Sequence, residues 1–184
     1  MLDKLIDLVK QHAGGAVINN PAIPNEKNEA AVNEAGGSIL ATLQNALAGG
    51  RITDVLGYFK NRGGNENPIV KEATGNYAND LQAKLGLDRP AAEDVANKVV
   101  PQTMNDLANK TADPSDNGFD IQDIFNSLSG GKTGGLNIKS LLERFGAGNL
   151  DKDMDGDVDL QDLKKMFAGG AGGGLMDKVK GFFN

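Results

Sequence analysis

Asn67-Pro68-Ile69-Val70-Lys71-Glu72-Ala73-Thr74-Gly75-Asn76-Tyr77-Ala78-Asn79-Asp80-Leu81-Gln82-Ala83-Lys84-Leu85-Gly86 reads as one complete helix from cap to stop. Asparagine is a preferred N-cap, and proline at the first helical position costs nothing because its missing N–H would have no partner there. Ile69, Ala73, Tyr77, Leu81 and Leu85 recur at fourfold spacing and form one apolar stripe. Gly86 follows the last of them, where a helix commonly ends in a left-handed residue. A stripe on one face requires a partner surface, so the rest of the chain is read for helices that supply it.

Toward the N-terminus, Leu2, Leu5, Ile6, Val9 and Ala13 have helical spacing and Gly14-Gly15 is expected to end the run. After the turn-rich Asn19-Asn20-Pro21-Ala22-Ile23-Pro24, Asn25 is expected to cap a longer helix with Val32, Ala35, Ile39, Leu43 and Leu47 on one side. Gly36-Gly37 in its middle costs about 1 kcal/mol per residue relative to alanine. The pair therefore marks either the close approach of another helix or a bend. Ile52, Val55, Leu56 and Phe59 make a further short helix. Toward the C-terminus, Asp88 begins a helix with Val95, Val99, Met104 and Leu107 in phase across Pro101, which is expected to kink it.

Composition agrees with short helices. Aromatic residues are 5% of the chain and 25 glycines punctuate it, so a large aromatic core is not expected. No window alternates polar and β-branched apolar residues for long enough to suggest a strand. A net charge of −6 argues against a nucleic-acid backbone as partner and for cations. The chain has no cysteine and no run of 18 apolar residues, which leaves no disulfide and no membrane span. The acids in Met1-Leu2-Asp3-Lys4-Leu5-Ile6-Asp7 do not suit a signal peptide, so the expected location is cytoplasmic, with non-classical export left open.

Residues 1–123, with Asn19-Asn20-Pro21-Ala22-Ile23-Pro24-Asn25, Asn67-Pro68-Ile69-Val70, Leu85-Gly86-Leu87 and Val99-Val100-Pro101, resemble the bacterial YidB-like family, a helical family of unknown function. The resemblance implies an α fold and a bacterial source. Its motifs are stops and stripes, so it implies no active site.

The chemistry lies further on, in Asp151-Lys152-Asp153-Met154-Asp155-Gly156-Asp157-Val158-Asp159-Leu160-Gln161-Asp162. In an EF-hand loop, calcium takes side-chain oxygens from positions 1, 3 and 5, a backbone carbonyl from 7, often a water held at 9, and a bidentate carboxylate from 12, with glycine at 6. Asp151, Asp153, Asp155, the Asp157 carbonyl, Asp159 and Asp162 fill these slots and Gly156 supplies the turn. Only position 12 departs, with aspartate where glutamate is usual. Asp159 is also a good N-cap for the next helix, and Val158 and Leu163 have the spacing of a hydrophobic staple. The alternative reading is a solvated acidic turn. Because Gly146-Ala147-Gly148-Asn149-Leu150 separates Phe145 from the loop, a dockerin-like loop and helix is as good a description as a full helix-loop-helix.

Phe119-Asp120-Ile121-Gln122-Asp123-Ile124, Leu136-Asn137-Ile138-Lys139-Ser140-Leu141 and Val158-Asp159-Leu160-Gln161-Asp162-Leu163 are copies of one unit, a stapled, capped short helix. Only the last copy has a full ligand set. The first keeps Asp116, Asp120 and Asp123 in register with positions 5, 9 and 12, but Ala112 and Pro114 stand at 1 and 3, so this loop is expected to be empty or weak. The final apolar segment, Leu175, Met176, Val179, Phe182 and Phe183 with Lys178 and Lys180 between, follows a glycine tract. It packs on its own domain, on a neighbouring subunit or on a membrane surface.

Other chemistry has little material. His12 is the only histidine, and at a helix end it reads as a dipole partner. Gly131-Lys132-Thr133 echoes a phosphate loop, but Asn126 stands where the motif needs glycine. The expected fold is all-α: a bundle of short amphipathic helices over residues 1–111, then an EF-hand-like calcium-binding subdomain over 112–184. The expected function is non-enzymatic, a calcium-binding structural or assembly module that can form homo-oligomers. A metal-dependent enzyme with a carboxylate-only site in a helical cleft is the alternative.

Overall fold

In the computed structural model the described residues are 1–61, 64–116, 118–131, 133 and 137–145. Among them every regular element is helical: α1 (Leu2–Ala13), α2 (Asn28–Ala48), α3 (Ile52–Lys60), α4 (Pro68–Leu85), α5 (Arg89–Ala112), α6 (Ile121–Leu128) and α7 (Ile138–Phe145).

Helix α4 is bounded as its sequence dictates. The Asn67 side chain accepts from the Ile69 N–H at 2.9 Å, and Gly86 takes a left-handed φ of 74°. The Leu87 N–H then reaches the Leu81 carbonyl and the Gly86 N–H the Gln82 carbonyl, which satisfies the last turn. Its stripe is buried from Ile69 to Leu85, packed on α2 and α5. Helix α5 opens on an equally regular cap, with the Asp88 carboxylate accepting from the Ala91 N–H at 2.8 Å. Pro101 is buried inside α5, which runs as one element from Arg89 to Ala112. Proline there removes one N–H donor, while Val99, Val100 and Met104 around it are fully buried and hold the flanks in place.

The N-terminal third departs from expectation in two places. The α-helical run of α1 ends at Ala13, before Gly14-Gly15 as expected, but the backbone does not open into a loop there. It continues as a π-helical turn over Gly14–Ile18, because both glycines accept a helical conformation and Ala16 and Val17 beyond them are buried. Asn25 does not cap α2 either. Asn25–Lys27 form a 3₁₀ turn, and α2 begins at Asn28. Within α2, Gly36 alone of the Gly36-Gly37 pair serves the close approach of α1. A Cβ on Gly36 would lie 3.1 Å from Ile6 Cγ1, whereas one on Gly37 would meet nothing within 4 Å.

Buried tyrosines tie the helices across the core. Tyr58 of α3 donates to the Met104 carbonyl of α5 at 2.6 Å, and Tyr77 of α4 to the Ala31 carbonyl of α2 at 2.9 Å. Burial pushes both phenols above their ordinary value. Ile121, Ile124, Phe125 and Leu128 of α6, with Ile138 and Leu141 of α7, complete the same hydrophobic cluster. No helix among the described residues is long and apolar enough to cross a membrane.

Candidate functional site

The six aspartates of the calcium loop, Asp151, Asp153, Asp155, Asp157, Asp159 and Asp162, lie outside the described residues, as does the final apolar segment. What is described is the ground from which they extend: α6, α7 and the turn before them.

Two of the three capped copies are in place. Asp120 caps α6 by accepting from the Gln122 N–H at 2.8 Å, and its other oxygen holds Lys139 of α7 at 2.8 Å. Asn137 caps α7 through the Ser140 N–H at 3.0 Å. The Gln122 amide oxygen accepts from the Ile138 N–H at 3.0 Å, so the start of one short helix is fastened to the start of the next. The third and sixth positions of the unit, Ile121 and Ile124 in one copy and Ile138 and Leu141 in the other, are buried in both. The ion pair with Lys139, helped by the cap N–H groups, holds the Asp120 carboxyl below its ordinary value.

In the incomplete loop that precedes α6, Asp113 and Asp116 are held by different neighbours. Asp116 accepts from the Gly118 N–H at 2.9 Å and lies 3.4 Å from Lys110. Asp113 accepts from the Ser115 hydroxyl and N–H, which lower its carboxyl, the hydroxyl most. Asp123 sits in the first turn of α6. Among the described residues no three acidic, histidine or cysteine side chains are gathered as a metal would need.

Phe119 anchors this turn, and its role was not legible in the sequence beyond its place in the staple. Lys4 and Lys110 each stand 5.7 Å from its ring centroid, and Lys4 also donates to the Gly118 carbonyl. The positive charges face the negative π-cloud, which couples α1 and α5 to the entrance of α6. His12 is part-buried with Nε2 2.7 Å from the Asp106 carboxylate, so it bridges α1 to α5. Spacing along a single helix gives no hint of that partner. The Thr133 hydroxyl is buried, donates to Asn126 at 2.9 Å and lies 3.0 Å from the Ser129 hydroxyl, which fastens the turn after α6 to the end of that helix.

A cleft of about 500 Å³ opens between the end of α5, the entrance of α6 and α7. Phe59, Phe119, Ile121 and Leu142 give it apolar walls, and Asp113 and Glu143 stand at its rim. No family model matches the chain, and no curated protein or solved structure matches it.

Proposed function

We propose that this chain is a bacterial, non-enzymatic calcium-binding protein, a YidB-like helical bundle whose EF-hand-like loop orders the C-terminal helices as a structural or assembly module. The observation that carries the reading is the spacing of Asp151, Asp153, Asp155, Asp159 and Asp162 around Gly156, which meets the loop's ligand positions. The two described copies of the capped unit support it. Asp120 and Asn137 perform the cap that the same register assigns to Asp159, with buried residues where the third copy has Leu160 and Leu163.

Without the ion, five carboxylates within one loop repel each other, and a helix start built on Asp159 and Asp162 loses its order. Calcium removes that repulsion and fixes the cap. Amide exchange in calcium and in chelator tests this effect. Removal of calcium is expected to accelerate exchange over residues 145–183 and leave residues 67–110 unchanged. Uniform acceleration, or none, would overturn the ordering role.

A further inference from the structure

We propose that the cleft between the entrance of α6 and α7 is the docking site of this chain's own C-terminal segment, Leu175 to Asn184. Three observations point there. The cleft pairs apolar walls, from Phe59, Phe119 and Leu142, with a charged lining that includes Asp113 and Glu143. The segment offers Leu175, Met176, Val179, Phe182 and Phe183 within ten residues, an apolar set that water disfavours.

The charges are complementary. Asp116 and Asp120 are occupied by Lys110 and Lys139, while Asp113 and Glu143 at the rim have no ion-pair partner among the described residues. Lys178 and Lys180 stand between the apolar residues of the segment and match that rim.

The connection also reaches. Helix α7 contributes Leu142 and Glu143 to the cleft wall and ends at Phe145, a short way past them. Even as a random coil, a chain as long as residues 146–174 has an r.m.s. reach of roughly 30 Å, more than enough to return. Docking in the same chain is favoured over a second copy because the tether keeps the local concentration of the segment high. The inference stands on α5, α6 and α7 and does not require calcium binding, so either reading can fail alone.

The chain has no tryptophan, so Phe182→Trp in the full-length protein gives a single reporter. Its emission is expected to be blue-shifted and its quenching by acrylamide several-fold weaker than that of a free indole. Leu142→Asp is expected to restore free-indole quenching. Glu143→Lys, at an exposed position, is expected to increase quenching with an unchanged helical spectrum, and Lys178→Glu added to it to reverse that increase. A fully quenched reporter in the unaltered cleft overturns the proposal. So does a protected reporter that ignores both cleft variants, or protection that rises with protein concentration alongside a dimer in light scattering.

Discussion

The Tyr58 hydroxyl donates to the backbone carbonyl of Met104 at 2.6 Å inside the core, joining a short helix to the longest one. A buried hydrogen bond of this kind contributes about 0.5–1.5 kcal/mol, and an unsatisfied partner adds a desolvation cost. Tyr58→Phe is therefore expected to lower the unfolding free energy by about 1–2 kcal/mol with an unchanged helical spectrum. Denaturant titration measures it, and an unchanged midpoint would show that the bond contributes nothing net.

The same burial predicts a response to alkali. The chain has two tyrosines, and both phenols have folded pKa values raised by burial. The stability this carries is fully present below the unfolded phenol value of about 10 and is lost as pH rises beyond it. Tyrosinate absorbance should thus appear together with loss of helical signal. Ionisation of a tyrosine in a fully helical protein would contradict the buried placement.

Gly36 and Gly37 are neighbours in sequence with opposite surroundings. Gly37→Ala adds a methyl to open space and gains helix propensity, a stabilisation of about 0.5–1 kcal/mol. Gly36→Val drives a branched side chain into Ile6 and should cost about 1–3 kcal/mol through overpacking. Thermal unfolding of the two variants decides it, and equal shifts would show that α1 does not press on α2 at Gly36.

Asp120 joins α6 to α7 through its cap and its pair with Lys139. Asp120→Ala is expected to cost about 1 kcal/mol through the lost cap. Since the folded carboxyl lies below its ordinary value, its contribution is present above about pH 4 and disappears as pH falls further. Acid titration of the wild type should loosen α6 in that window. The variant should show a smaller acid dependence there, and identical acid curves would contradict the assignment.

The sequence carried the helices where a cap, a stripe and a stop coincide. Asn67 with Gly86 and Asp88 with Ala91 are local arrangements, complete within a few residues, and they were legible as such. Gly14-Gly15 marked the end of α1 correctly but gave no hint of the π turn beyond it, which the burial of Val17 carries on. Asn25 lost the cap to a 3₁₀ turn for a similar reason, since a chain emerging from Pro24 can turn before it winds. The bridges His12 to Asp106 and Lys4 to Phe119 connect residues distant in sequence, and no local pattern encodes them. The proposed calcium ligands rest on spacing alone, since Asp151 to Asp162 lie outside the described residues.

Calorimetric titration of the 184-residue chain with calcium decides whether Asp151 to Asp162 form the proposed binding loop. Aspartate at position 12 is one methylene shorter than glutamate, so a dissociation constant of roughly 10⁻⁶ to 10⁻⁴ M is expected. One ion should bind per chain. Asp151→Ala should abolish binding, and Asp116→Ala should leave the stoichiometry at one. Absence of any heat at millimolar calcium, two ions of similar affinity, or unaltered binding by the Asp151→Ala protein would contradict the account.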